Sequence, residues 1–396
     1  MAYNQIRIEK IRLKQLNDFA ADVVNTSAFE KTAPITPARA LSQTKNPNAH
    51  PDDVVLLVAY QGNQCVGYHG LLPGMLEQNG QLSKVFWATA FFVSPELRGS
   101  GIGKRLLSEI IKLNVDFVVT GMTHGAKETY KSMGFKPLGS VTYYQLRTER
   151  VHLFEPFFRA VYSIPERPDQ KSGKRLATVE RLDAELYRLT KAVFFKTALR
   201  FWPEGKTCAG VLEADQLKFR HEAALRSPST CPGRPAFYRG IDAVNWMIRY
   251  RWVVAPDELQ AGIGHYHFSK SRDIFKYIAL EIPSSHGSPS KGFLVLSVSR
   301  NKSKTAVKLL DFHFQDPKDR WCAAFLGLRY GAEYLADRID IPSALAACFK
   351  NNRLLKPLLK RQTRLFMFYP KSIDSPLALS KENIALNYCD GDTAFT

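Results

Sequence analysis

Apolar and polar positions follow two periods along this chain, and the switches between them mark its elements. Residues 86–93 (FWATAFFV) are dominated by aromatic and β-branched side chains and predict a strand. Pro95 cannot donate a ladder hydrogen bond and ends it. From Lys104 the period changes: Leu106, Leu107, Ile110 and Ile111 share one helical face, while Arg105, Ser108, Glu109 and Lys112 cover the rest. Residues 116–122 read as a buried strand and 123–133 as a helix, which Gly134 can close in the left-handed conformation. Upstream, IRIEKI predicts a short strand and LKQLNDFAADVVNTSAF a helix. Residues 30–53 are rich in Pro, Thr, Asn and Ala without a period, and read as a long loop or lid. Residues 54–60 and 66–72 pair about the Gly62-Asn63 turn, and Asn79-Gly80 starts a hairpin into 84–93.

The second half has a similar rhythm. The stretch 148–178 holds an aromatic segment and then PERPDQKSGKR, which reads as an exposed linker. A helix is predicted over 178–198, and 202–235 reads as irregular. Strands follow at 275–282, 292–298 and 306–314, a helix at 320–336, the short run Ile339-Asp340-Ile341, and a helix ending FKNNRLLKP. The expected fold class is α+β, a mixed sheet flanked by helices, with domains at 1–147 and 179–396 joined by 148–178.

Between the strand at 86–93 and the helix after it lies Arg98-Gly99-Ser100-Gly101-Ile102-Gly103-Lys104. Glycines at a helix start let the backbone approach a ligand closely, and the unpaired N–H groups there favour a phosphate. The dinucleotide fingerprint fails, because Lys104 stands where its third glycine belongs and SPELR intervenes. The nucleotide P-loop fails because Arg105 follows Lys104. The order strand, Arg98-x-x-Gly101-x-Gly103, helix, strand, then Tyr130-Lys131-Ser132-Met133-Gly134-Phe135 resembles the GNAT superfamily of N-acetyltransferases over roughly residues 1–147. The second half is read as a degenerate GNAT-like unit, structural or acceptor-binding. There Phe349 replaces the tyrosine, Arg353 the glycine, and FQDPKDRW has no glycine cradle.

The resemblance implies acetyl transfer from acetyl-CoA to an amine. Arg98, Gly99, Ser100, Gly101, Ile102, Gly103 and Lys104 would hold the pyrophosphate. Phe91, Phe92 and Val93 would line the pantetheine arm with main chain, and Tyr130 would protonate the leaving thiolate. No acid lies in WATAFFV, and Thr123 stands where many relatives have Asn. His69, Glu77 or a water chain is the remaining choice of base, with His124 a further candidate and an ordinary packing role open for each. His265 and His267, with Asp311 and His313, offer ligand chemistry without a metal pattern, so no metal is expected. Asp390-Gly391-Asp392 reads as a turn, or as a carboxylate contact for a cationic acceptor. Trp246, Arg249, Tyr250, Arg251 and Trp252 read as a strand with alternating sides.

Composition narrows the partners. The net charge is +18, with 17 Lys and Arg against 12 Asp and Glu up to residue 150 and 38 against 25 beyond it, a balance that attracts anions such as CoA. No nucleic-acid-binding module pattern appears. Six scattered cysteines without C-x-x-C pairs argue against a zinc ribbon or disulfide framework. No apolar run approaches the ~20 residues of a membrane span, and a cytoplasmic protein is expected. The acceptor stays open: an amino sugar or nucleotide-linked amino sugar is the expectation from the positive second half, beside small amines, antibiotics, peptides and protein lysines. The alternative is a non-catalytic acyl-CoA-binding or basic interaction protein. Acyl length and oligomeric state stay open.

Overall fold

A computed structural model of the chain describes residues 6–149, 177–202, 212–215, 217, 234–259, 264–282, 292–314 and 319–395. Most of the expected linker at 148–178, much of 202–235, and Cys208 and Cys231 lie outside them. Two units emerge: unit 1 is Met1–Val141, Ala214–Ala279 and Thr363–Thr396, and unit 2 is Thr142–Glu213 and Leu280–Gln362. The units interleave along the chain, whereas the sequence predicts one division at 148–178. The reason is that segments 214–279 and 363–396 have their apolar and hydrogen-bonding partners in unit 1.

Unit 1 is built on β1 (Ile6–Arg12), α1 (Leu16–Asn25), α2 (Pro37–Thr44), β2 (Val54–Gln61), β3 (Gln64–Gln78), β4 (Gln81–Val93), α3 (Ile102–Ile111), β5 (Asp116–Thr120) and α4 (His124–Ser132). The first four strands form an antiparallel meander. Strand β5 then joins β4 in parallel, as a strand reached through a helical crossover must. The expected loop over 30–53 contains α2: Thr36 caps it by accepting from the Arg39 amide at 3.3 Å, and Pro37 opens its first turn. These are standard start signals, hidden because the helix is too short to show a period.

One face of the sheet packs Leu57, Ala59, Leu71, Phe86, Ala88, Phe117 and Val119 against Leu106, Leu107 and Ile110 of α3 and Tyr130 of α4. The other packs Val58, Tyr60, Tyr68 and Phe92 against Leu16, Ala20 and Val23 of α1, with Ile35, Ala40 and Tyr266. Burial on both sides explains why β2 reads VVLLVAYQ without alternation.

Further along the chain are β6 (Lys136–Arg147), α5 (Ala177–Arg200), β7 (Leu212–Ala214), β8 (Ala236–Phe237), α6 (Ile241–Arg249), β9 (Ile274–Ile282), β10 (Gly292–Asn301), β11 (Lys304–Phe314), α7 (Arg320–Glu333), β12 (Arg338–Pro342), α8 (Ala346–Lys350) and β13 (Leu359–Tyr369). In unit 2, β10 and β11 are antiparallel, β12 pairs with β11 in parallel, and the end of β6 pairs antiparallel with β12. Asp337 is buried there, bonded by Lys191 Nζ at 2.8 Å, Tyr187 Oη at 3.1 Å and the Thr305 amide at 2.7 Å. In unit 1 the end of β13 pairs antiparallel with β5. Cys65, Cys322, Cys348 and Cys389 are buried and form no disulfide among the described residues. Among the described residues no helix is long and apolar enough to cross a membrane.

Candidate active site

The site begins with an irregularity in β4. Tyr68 pairs with Phe92 and Gly70 with Thr89, so His69 alone faces both Ala90 and Phe91. Ala90 has φ 46°, outside the extended region. One extra residue in a strand reverses which face the following side chains take. Trp87 and Thr89 therefore point to the α1–α2 face, where Trp87 meets Phe237 and Thr89 meets Arg39. Phe91 points to the α3–α4 face, stacked on His69 at 4.9 Å and edge-on to Tyr130 at 5.6 Å. Parallel pairing of β4 with β5 runs from Val85 to Ala88 and stops, while β4 continues to Val93. Beyond Ala88 the two strands part, and the β5 side of 89–93 has no ladder partner among the described residues.

The glycine loop follows. Gly99 and Gly101 sit at φ 85° and 89°, and Gly101 is the N-cap of α3 with no side-chain cap. Only glycine takes this conformation without penalty. Of the seven amides from 98 to 104, Arg98 donates to the Pro95 carbonyl at 3.3 Å and Ser100 to the Leu97 carbonyl at 3.3 Å. The amides of Gly99, Gly101, Ile102, Gly103 and Lys104 have no protein acceptor among the described residues. The cradle thus has five open donors at a helix N-terminus rather than the seven the sequence suggests. It also abuts the bulged strand: a Cβ at Gly103 would lie 3.0 Å from the Phe91 ring.

Tyr130 enters from α4. Thr123 caps that helix, accepting from the Ala126 amide at 3.4 Å, and Gly134 ends it at φ 91°. The Phe135 amide reaches back to the Tyr130 carbonyl at 3.1 Å and the Gly134 amide to the Lys131 carbonyl at 3.1 Å, a Schellman closure. The expected contact of its apolar members is the Tyr130–Phe135 ring pair at 4.9 Å. The spacing Tyr-x-x-x-Gly-Phe therefore has a local cause: the glycine turns the chain, and the phenylalanine clamps the tyrosine ring.

The Tyr130 hydroxyl and His69 Nε2 are 2.6 Å apart, and His69 Nδ1 is 2.9 Å from the Gly70 carbonyl. A carbonyl only accepts, so Nδ1 carries the proton and Nε2 accepts from Tyr130. Both side chains are buried, at 0% and 1% exposure. Burial pushes the His69 pKa down to about 4, helped by the charge of Arg39 and opposed by the Gly70 carbonyl. Burial also raises the Tyr130 pKa, and the charge of Asp392 raises it further. His69 is thus neutral, with its one lone pair already engaged. The structure brings Phe91, His69 and Tyr130 together.

It does not bring Glu77 to them: eight residues along β3 separate it from His69, about 26 Å at the rise of a strand. His124 is exposed at the first turn of α4. The cluster 246–252 is the end of α6 and the turn after it, not a strand; Trp246 and Trp252 give their indole N–H groups to the carbonyl and hydroxyl of Ser42. His265 and His267 lie outside any strand, and no group of three or more His, Cys, Asp or Glu among the described residues could hold a metal. Asp390-Gly391-Asp392 is a turn with Gly391 at φ 78°, and Asp390 accepts from the Asn387 amide at 2.6 Å.

Two further elements line the other side of the bulge: α2, which the sequence reads as loop, and the C-terminal turn, which it reads without a place in the fold. Arg39 of α2 donates to the hydroxyls of Tyr266 and Thr89, each at 2.7 Å. The C-terminal turn is anchored by the Tyr277 hydroxyl on the Ala394 carbonyl (2.7 Å) and by Phe395 stacked on Trp252 (4.3 Å). Gly391 lies against Trp87 and Thr120, where β4 and β5 part. The Thr36-Pro37 start signal could have revealed Arg39's helix; nothing local reveals the tail.

A family model, the Acetyltransferase (GNAT) domain, matches residues 52–137, from β2 to the start of β6. No curated protein of similar sequence was found. Among solved structures, a Saccharomyces cerevisiae N-myristoyltransferase with bound myristoyl-CoA and inhibitors is similar at 12% identity and TM-score 0.51, covering 93% of this chain and 80% of its own. A GCN5-related N-acetyltransferase from Anabaena variabilis is similar at 11% identity and TM-score 0.44, covering 93% and 74%. One from Kribbella flavida is similar at 12% identity and TM-score 0.43, covering 95% and 73%. The bulged strand, left-handed glycine turn and tyrosine clamp all lie inside or border residues 52–137, the segment that matches the Acetyltransferase (GNAT) domain model.

Proposed function

We propose that the chain is an acyl-CoA-dependent N-acyltransferase that moves an acetyl group from acetyl-CoA to a primary amine in a direct ternary complex. One observation carries this reading: five unpaired amides at 99 and 101–104, beside a strand edge left open beyond Ala88. The amides would bind the CoA pyrophosphate at the α3 N-terminus. The open main chain of Phe91, Phe92 and Val93 would bind the pantetheine arm as a strand binds a strand, and a free N–H there would stabilise the oxyanion.

In the reaction the amine nitrogen attacks the thioester carbon, the C–S bond breaks, and the amine's surplus proton balances the thiolate. Tyr130 stays protonated across the physiological range because burial raises its pKa. The one hydroxyl proton of Tyr130 rests on His69 Nε2, which holds the ring on its rotamer, and it serves the thiolate as a hydrogen-bond donor once the hydroxyl rotates from the imidazole to the sulfur. His69 is a positioning residue in this scheme, and neither it nor Glu77 is the base. Water relays the proton from the amine.

Unit 2 is read as a degenerate second copy, on grounds of matching element order. The bound myristoyl-CoA of the yeast relative makes acyl length a variable to test. A panel of acyl-CoA donors and amines, read by thiol release, with donor binding followed calorimetrically, tests the proposal. Donor-dependent thiol release with an amine supports it, and absence of CoA binding at millimolar concentration sinks it. Binding without release favours a second reading, an acyl-CoA sensor, for which the engaged lone pair of His69 is the specific support.

A further inference from the structure

Arg39 is a full charge at 5% exposure. Its guanidinium meets two neutral hydroxyls, those of Tyr266 and Thr89, and lies 4.0 Å over the Trp252 ring. No carboxylate among the described residues lies within ion-pair distance of it. A guanidinium cannot shed its proton, and a buried charge is normally paired with an opposite one. Hydroxyl dipoles and an indole face offset part of that demand and leave the counter-charge to be supplied.

The place of Arg39 says by what. Thr89 is the last residue before the bulge, on the α1–α2 face, and Phe91, just past it, faces the glycine loop from the opposite side. Arg39 therefore reaches the reacting region of β4 from the side away from the proposed donor. Gly391 approaches on Arg39's side, through Trp87, bringing Asp392 with it. The charge of Asp392 acts on Tyr130 and Tyr266 alike. A fixed cation thus lies on one face of the bulge, and the charge of Asp392 is felt on both.

We propose that Arg39 binds the carboxylate of the acceptor, so that the acceptor is an amino acid, its amine directed at the bulge and its carboxylate at the guanidinium. This rests on the acyltransfer reading for what happens next, but not for the binding itself. A planar guanidinium takes a carboxylate through two parallel N–H bonds, a geometry an amide or ester cannot match with charge.

The test titrates the full chain, with CoA present, with free amino acids and the matching amino acid amides. Binding is followed by tryptophan fluorescence, since Trp252 touches Arg39, and turnover by thiol release from acetyl-CoA. The expected result is saturable binding of acids with at least a hundredfold preference over their amides. R39Q abolishes the preference while leaving CoA affinity unchanged, and R39K retains part of it. Where R39Q does not fold by circular dichroism, the wild-type preference and R39K decide. Equal response to acid and amide, no response to either, or an equal loss for both in R39Q overturns the proposal. Preferential binding of amino acids without thiol release upholds the carboxylate site and sinks acyltransfer instead.

Discussion

In unit 1, parallel pairing of β4 with β5 stops at Ala88, and two residues later Ala90 bulges from the strand. In unit 2, pairing of β11 with β12 stops at Lys308, and two residues later Leu310 is the residue left over, since Val295 pairs with Asp311 and Leu296 with Leu309. Hairpin, bulge, helical crossover and parallel strand thus recur in order. The chemistry does not. Ala90 takes a left-handed φ and Leu310 does not. The crossover helix α3 starts at a left-handed glycine, whereas α7 starts at Asp319, in the right-handed region. A carboxylate there meets the positive helix end that a phosphate would need. Tyr130 finds a partner in His69; Phe349, fully buried in α8, has no hydroxyl to share and packs edge-on to Trp202 at 5.5 Å. The comparison teaches that strand pairing and burial hold one backbone plan in both units, while the φ angles and side chains at a few matching positions differ.

The comparison breaks most easily at Tyr130. Y130F should lower turnover about 10²-fold or more, the usual worth of a positioned proton donor, with CoA affinity held. Steady-state rates beside calorimetric binding give the answer, and an unchanged rate removes Tyr130 from the mechanism.

The next effect is on stability. His69 titrates near 4 when folded and near 6.5 when unfolded, so the unfolded chain takes up protons first as pH falls. The stability associated with neutral His69 is complete above about pH 6.5 and lost progressively towards pH 4, by about 3 kcal/mol over that range. Denaturant melts of wild type and H69Q across this window should converge in acid, and parallel curves would refute the assignment.

G101V is a smaller and cleaner perturbation. No atom lies within 4 Å of the added Cβ, so its cost is the left-handed backbone, about 1–2 kcal/mol, together with obstruction of the amides. CoA affinity should fall at least tenfold while D319G in α7 changes nothing. Equal effects of the two would erase the contrast between the helix starts. F349Y should act least on the chemistry: turnover stays unaltered, and the buried hydroxyl shows only in thermal or denaturant unfolding, at about 1–3 kcal/mol. A change in acetyl transfer would mean that unit 2 takes part in chemistry.

How much of this was readable beforehand depended on range. The strands at 54–60 and 86–93 and the helices after Gly101 and Thr123 follow from periodicity and caps, and the structure places all of them within a few residues. α2 is legible only through Thr36 and Pro37, and the cluster at 246–252 reads as a strand because five aromatic or basic residues in seven hide a helical face as well as they hide an alternating one. Glu77 was a fair candidate by type and is excluded by the length of β3.

What the sequence by itself determined is what neighbours within about six residues can dictate. Gly99 and Gly101 turn left because they lack a Cβ, and Gly134 folds Phe135 onto Tyr130 because the helix must close there. Only tertiary structure decided that Tyr130 meets His69, 61 positions earlier, and that Arg39 meets Tyr266, 227 positions later. Those pairings depend on which face of β3 and β4 each residue takes. That choice was fixed by one inserted residue in a ladder, which no local pattern announces.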